Sequence, residues 1–405
     1  MAKGYNIDIR KKNKKNLVLN IIKNYNQTSK SKVKTLSKLS MTTVLQCIDD
    51  LIKEDLIYEA GIGESTGGRK PVWLEINPNG AFFLGIEFNA NGVVGIILNL
   101  NGEIVHTSKI VIKEEESVNR MIDIIKGCIH DMLQKLQQPF YKIKGIGIGV
   151  PGFIDKEKGM ALQYVNIPGW SNIPIRDIIE EEFGITTYID QNVNAMALAF
   201  KWYKYNKGIR NILFISIRTG VGMSFILNNE VYSGRNGVAG EIGHIVVSDN
   251  HEKCYCGKYG CLDTEVGYKG IKNKIINGLK MGNFPVINKL IGDDIDNLDI
   301  DVFVKAVNQG DKDAVKLLKG ACKVIGLATS HAVNILNPDK VIFSGELSTT
   351  DNFISYIKKE LKDNCLPITA ERLMIERSDL GDRVGGIGAA CVVMQQEFGF
   401  SSLHI

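Results

Sequence analysis

Apolar residues recur at helical spacing three times within the first 57 positions. Leu17, Leu19, Ile21 and Ile22 give one face of a helix over roughly residues 9–25. Val33, Leu36 and Leu39 mark a short second helix, and Val44, Ile48, Leu51 and Ile52 a third, which ends before Leu56-Ile57. A turn falls near Lys38–Met41, and three short helices around such a turn predict a helix-turn-helix. Leu56–Glu59 and Val72–Ile76 then read as two strands flanking a glycine-rich stretch that carries Arg69 and Lys70, the pattern of a wing.

From about Gly80 the pattern changes to long apolar strands alternating with amphipathic helices, an α/β architecture. Residues 82–112 and 212–232 share one order: strand, turn, strand, an Asn-Gly or Asn-Asn pair, strand. A repeated three-stranded meander followed by helices predicts a duplicated lobe. Helices are expected over residues 296–306 and 311–332. The small residues Gly385, Gly386, Gly388, Ala389 and Ala390 open a C-terminal helix built for close packing.

Charge sharpens the reading of the head. Residues 1–40 hold ten lysines and Arg10 against the single acid Asp8, although the whole chain carries only +4. A basic head on a near-neutral body is a footprint for a polyanion; the competing account is a solvated lysine-rich tail. On the third helix Ser40, Met41, Thr42, Thr43 and Gln46 are candidates to reach base edges and phosphates. Arg69 and Lys70 are candidates for a minor groove or a phosphate clamp. A hydrophobic content of 44% with 23% charged residues is that of an ordinary globular protein. The absence of a long apolar run and of a secretory signal points away from the membrane and towards the cytoplasm. Three of the eight cysteines fall in one cluster and five are scattered, which suits a reducing compartment.

That cluster is the sharpest chemical signal. His244, Cys254, Cys256 and Cys261 form an H-x9-C-x-C-x4-C array, three thiols and one imidazole within eighteen residues. Such a donor set closes a tetrahedral Zn2+ site of the structural kind. The competing account is a chance cluster of buried cysteines. Glu241 and Asp263 flank the array, and two carboxylates beside a histidine suit hydrogen bonding to a polyhydroxylated ligand.

The run from Ser233-Gly234 through Gly240-Glu241-Ile242-Gly243-His244 to Cys254-Tyr255-Cys256-Gly257-Lys258-Tyr259-Gly260-Cys261-Leu262-Asp263 resembles the signature of the ROK (repressor, open reading frame, kinase) family. That family holds bacterial sugar kinases and sugar-responsive transcriptional repressors. The resemblance spans nearly the whole chain and implies two actin-like, ribonuclease H-like lobes enclosing a cleft. The expected division is a winged helix-turn-helix over residues 1–77, a first lobe over 78–190 plus 384–405, and a second over 191–383. The family's zinc ligands fall on the four residues above. Its sugar contacts fall on Gly152, Gln191, Asn192, Glu241, His244 and Asp263. The Asn166-Ile167-Pro168-Gly169-Trp170 loop leaves two accounts of Trp170, a wall for the sugar or a core residue.

Departures from the kinase pattern decide the branch. The family aspartate that takes the proton from the attacking sugar hydroxyl is replaced by Asn192, and an amide has no useful basicity near neutral pH. Asn192 still binds a hydroxyl, and it also suits a helix start. The Asp-x-Gly-x-Thr hairpin reads Glu87-Phe88-Asn89-Ala90-Asn91, and the second phosphate loop reads Arg218-Thr219-Gly220-Val221-Gly222-Met223-Ser224. Both have lost glycines that let backbone N–H groups approach phosphate. The expectation is a non-enzymatic repressor that binds operator DNA and responds to a sugar, xylose first and glucose or another aldose next. Symmetric operators pair with two-fold proteins, so a homodimer or homotetramer is expected. The alternatives are an ATP-dependent sugar kinase and a repressor controlled by a protein partner.

Overall fold

The computed structural model describes residues 2–25, 27–62, 71–112, 115–203, 208–235, 237–292 and 294–400. The first elements are α1 (Ala2–Asn24), β1 (Thr28–Ser29), α2 (Lys30–Ser37), α3 (Met41–Lys53), β2 (Ile57–Ile62) and β3 (Val72–Ile76). Val18, Leu19, Ile21 and Ile22 of α1 close with Val33, Val44, Ile48, Leu51 and Leu74 into a small core. Lys38 ends α2 in the left-handed region (φ 56°), and the Ser40 hydroxyl accepts from Thr43 N to start α3, so the turn lies where the sequence put it. Strands β1, β3 and β2 form a three-stranded sheet, all pairs antiparallel. The first helix begins at Ala2, seven residues before the expected Ile9, and no proline interrupts residues 2–24.

Two five-stranded sheets follow with one shared topology. The first orders β11 (Thr187–Gln191), β7 (Ile143–Val150), β4 (Phe82–Asn89), β5 (Gly92–Asn99) and β6 (Ile104–Val111). Its β4-β5-β6 meander is antiparallel, while β4, β7 and β11 run parallel. A small sheet of β8 (Phe153–Asp155), β9 (Met160–Gln163) and β10 (Ser171–Ile173) is inserted before β11. Helices α4 (Val118–Leu136), α5 (Ile175–Phe183) and α6 (Asn192–Tyr203) complete this stretch of chain.

The second sheet orders β14 (Glu230–Tyr232), β13 (Val221–Leu227), β12 (Ile212–Ile217), β15 (Lys340–Ser344) and β16 (Met374–Arg377). Again a meander is followed by two parallel neighbours. With it go α7 (Leu262–Val266), α8 (Tyr268–Leu279), α9 (Pro285–Ile291), α10 (Ile300–Asn308), α11 (Lys312–Leu336), α12 (Phe353–Asn364) and α13 (Pro367–Ala370). The chain then returns with α14 (Val384–Phe398). The repeated meander inferred from the sequence is thus a duplicated sheet. One helix departs from expectation. Residues 296–306 break at Leu298, which is buried, and Asp299 caps a new helix by accepting from Val302 N at 2.8 Å.

Contacts divide the chain into two compact units, residues 1–202 with 383–405, and residues 203–382. The head therefore belongs to the first unit, and its attachment is specific. Four α1 residues at helical spacing face α14 and its end: Lys12 pairs with Glu397 (3.2 Å), Asn16 donates to Glu397 O (3.0 Å), Asn20 to Phe398 O (2.9 Å), and the Lys23 ring contacts reach Phe400. Lys142 ties the other side of the head by pairing with Asp55 at 2.9 Å. The small residues of α14 sit where expected. A Cβ on Gly388 would lie 1.9 Å from Ala195 O of α6, and one on Gly147 would lie 1.8 Å from Ala389 O, so close backbone packing accounts for them.

Candidate functional site

In the second unit the metal-type residues converge. A ligand atom from each of His244, Cys254, Cys256 and Cys261 lies within 4.8 Å of the others. His244 sits on a 3-10 turn, Ile242–His244, and Cys254 and Cys256 on a knuckle where Gly257 (φ +90°) lets Gly257 N reach back to Cys254 O. Cys261 caps α7. The Sγ atoms of Cys256 and Cys261 are 3.7 Å apart, and His244 Nδ1 is 3.5 Å from Cys254 Sγ. A tetrahedron with Zn–S bonds of about 2.3 Å has S···S edges of roughly 3.7–3.8 Å, so these two pairs are spaced as in such a site and the donor set is compatible with zinc. Burial, and after it the charge of Lys258, hold His244 below the usual histidine range, which favours the neutral ring a metal needs.

With Nδ1 turned to the thiols, His244 Nε2 faces the other way. It is 2.8 Å from the hydroxyl of Tyr255 and 3.7 Å from Glu241 Oε2. The two rings meet edge to face at 4.8 Å. Burial, then the charges of Asp263 and Glu241, raise the Tyr255 phenol well above its usual range, so its hydroxyl keeps its proton. Tyr255 was missed as a functional candidate, although its place inside the C-x-C spacing is the signal that could have found it.

Asp263 is turned inward. Its Oδ1 accepts from Val221 N at 2.7 Å, at the foot of the second hairpin. Burial raises its carboxyl to about 6, against the lowering effect of that hydrogen bond. The N–H of Val221, which a phosphate-binding hairpin would offer to nucleotide, is thereby engaged. In the first unit the corresponding β4–β5 turn is closed by Asn89, whose Oδ1 accepts from Asn91 N at 2.8 Å.

The first unit gathers the remaining candidates. Gln191 ends β11, and its Nε2 donates to Gly152 O at 3.4 Å. Gly152 has φ +76°, and a Cβ there would lie 2.1 Å from Gln163 O, so the turn requires glycine. Asp190 fixes this strand end by accepting from Gln191 N (2.8 Å) and from Lys156 (2.5 Å). Asn192 opens α6 and accepts from Val193 N through its side chain at 2.9 Å. Glu87 is buried beside it: a Cβ on Gly149 would lie 3.5 Å from both Glu87 Cγ and Asn192 Cα. Trp170 is 2% exposed and packs on Phe88 at 5.1 Å, so it is a core residue and not a wall for a ligand.

On the head, Ser40, Met41, Thr42 and Gln46 are exposed along the first turns of α3, and Thr43 is half-buried with its hydroxyl 2.8 Å from Ser40 Oγ. Arg69 and Lys70 lie outside the described residues. Several head lysines are paired internally: Lys11 with Asp50, Lys12 with Glu397, Lys15 with Glu54, and Lys30 with Glu59.

The ROK family model matches residues 83–396. The chain belongs to the ROK family. Among similar proteins, a putative xylose repressor of Caldicellulosiruptor sp. (strain Rt8B.4) is 29% identical over 386 residues, 95% of this chain and 96% of that protein. The xylose repressor of Bacillus subtilis (strain 168) is 28% identical over 95% of this chain and 96% of its own length. The N-acetylglucosamine repressor of Escherichia coli O157:H7 is 24% identical over 96% and 94%. Among solved structures, a ROK family transcriptional regulator described as a homolog of the E. coli MLC protein superposes with a TM-score of 0.82 at 24% identity, over 96% of this chain and 97% of that one. A ROK family glucokinase from Streptomyces griseus, in complex with glucose and AMPPNP, gives 0.70 at 22% identity, over 78% of this chain and all of that one. The fold is therefore that of ROK repressors and ROK kinases alike. No helix among the described residues is long and apolar enough to cross a membrane.

Proposed function

We propose that this ROK protein is a sugar-responsive transcriptional repressor without kinase activity. The observation that carries the reading is the exposed first turn of α3, with Ser40, Met41, Thr42 and Gln46, on a head whose relatives along 95% of the chain are sugar repressors. These residues, with Thr43, Arg69 and Lys70, are assigned to operator DNA. Gln191 and Asn192 in the first unit, and Glu241 and His244 in the second, are assigned to sugar hydroxyls. Gly152 and Asp263 support them, the one through Gln191 and the other through Val221. Zn2+ held by His244, Cys254, Cys256 and Cys261 has a structural part: when bound it locks the knuckle and leaves His244 Nε2 as a single donor.

Xylose is the first sugar to test, because the xylose repressors are 28–29% identical and the N-acetylglucosamine repressors 24%. A sugar that binds the DNA-incompetent state better shifts the population towards it; a coupling typical of such systems changes operator affinity roughly 5–150-fold. A homodimer or homotetramer would match a symmetric operator. The test is fluorescence anisotropy of the full-length protein on DNA from upstream of its own gene, with D-xylose, D-glucose and N-acetylglucosamine added without ATP. Release by one of them supports the reading and names the effector. DNA that stays bound with every sugar removes the sugar from it and favours control by a protein partner. No binding to DNA at all removes the repressor.

A further inference from the structure

The α1 helix packs directly against the end of α14 within the first unit. Lys23 is half-buried there, and its partial loss of solvent lowers its pKa to about 8. Its Nζ donates to Leu100 O at 2.6 Å and lies over two rings, Trp202 at 5.2 Å and Phe400 at 5.0 Å. The rings themselves are 5.5 Å apart. A partly desolvated ammonium is costly unless carbonyls and ring faces take up its charge, as Leu100 O and the two rings do here.

The partners of Lys23 are the ends of two helices. Trp202 is the penultimate residue of α6, whose first residue is Asn192, and Val193–Phe200 between them are all buried. Twelve residues at 1.5 Å each make a rod of about 18 Å. Phe400 follows α14, which touches α6 backbone to backbone at Gly388 and Ala195. A second line leaves the opposite end of β11, the strand that leads into Asn192: Tyr188 donates to Glu397 at 2.5 Å, and Glu397 pairs with Lys12 of α1. Asn192 is thus joined to the base of the head by the buried, close-packed α6–α14 pair, with the half-exposed Glu397–Lys12 pair beside it, and close-packed elements pass a displacement on instead of absorbing it.

We propose that Lys23, Trp202 and Glu397 are positioning residues that carry the state of Asn192 through α6 and the end of α14 to the DNA-reading head. The inference rests on the assignment of Asn192 as an effector contact. Trp202→Leu removes the indole face and Lys23→Met the ammonium, and both leave Asn192 and α3 intact. Each is to be compared with the parent full-length protein by calorimetry with D-xylose and D-glucose, and by anisotropy on operator DNA with and without the same sugars. The expected result is sugar affinity within about 2-fold of the parent, DNA still bound, and sugar-induced release reduced from the parent's factor towards 1. Trp202→Phe, which keeps a ring, should restore release. Variants that let go of DNA at the parent's sugar concentrations overturn the proposal.

A parent that binds sugar and keeps its DNA overturns the effector reading itself, and the relay with it; that result differs visibly from a failure confined to the variants. Should both substitutions unfold the chain, hydrogen exchange on the unmodified protein decides. Sugar must then change protection in residues 12–24 as well as in 192–202, and a change confined to the second stretch sinks the relay.

Discussion

At the scale of single residues, the amide at position 192 and the hydroxyl at 255 make separable claims. Asn192→Asp would return a carboxylate to the start of α6, yet ATP-dependent sugar phosphorylation is not expected from it. Asn89 Oδ1 already takes Asn91 N in one hairpin and Asp263 takes Val221 N in the other, so backbone donors for phosphate are engaged on both. Sugar-dependent ADP release by this variant, in a coupled assay, would show that the hairpins can open. For Tyr255, the relevant fact is that a metal-bound imidazole has one remaining N–H, which its hydroxyl meets at 2.8 Å. A sugar hydroxyl at Nε2 competes with it, so Tyr255→Phe should tighten sugar binding roughly 2–10-fold, the worth of one net hydrogen bond. Metal content should stay at the parent's level. Weaker binding in calorimetry would instead make Tyr255 a sugar contact. The loss of the base at position 192 was legible in the sequence; the direction in which the free nitrogen of His244 points was not, because the H-x9-C-x-C-x4-C spacing gives only the candidate ligands.

Among the elements, those with a local cause were read correctly. Ser40 marks the start of α3 because its hydroxyl has Thr43 N within reach, and the two meanders announce themselves by their Asn-bearing turns. Where two caps compete, the sequence misleads: Asp294 and Asp299 both cap, and burial of Leu298 between them splits what periodicity joins into one helix. The α6–α14 crossing was visible only as a run of small residues, since its other half, Ala195, lies nearly two hundred positions away. It has a sharp consequence. Any side chain at Gly388 meets Ala195 O at 1.9 Å, so Gly388→Val should destabilise the first unit by about 1–3 kcal/mol or more through overpacking. Urea unfolding measures it. A midpoint unchanged from the parent would mean the helices part without cost.

For the whole molecule, charge is distributed less simply than a residue count suggests. Eleven basic residues precede position 41, but Lys11, Lys12, Lys15 and Lys30 face carboxylates of the same chain, and Lys23 is enclosed by rings and a carbonyl. DNA binding releases one condensed counterion for each phosphate newly neutralised, with a slope of about −0.9 per contact. A cation already balanced from within displaces none. The dependence of operator affinity on salt should therefore be shallower than the lysine-rich sequence invites, set by Lys3, Arg10, Lys14, Lys32, Lys34, Lys38 and the basic residues of the wing. Glu397→Gln would free Lys12 and should steepen it by about one contact, measured as the slope of log K against log salt. Asp50 and Glu54 fasten α1 within the head and Glu397 fastens it to the body, so on the proposed function the acids that hold α1 in place are also its resident counterions and would soften its grip on DNA.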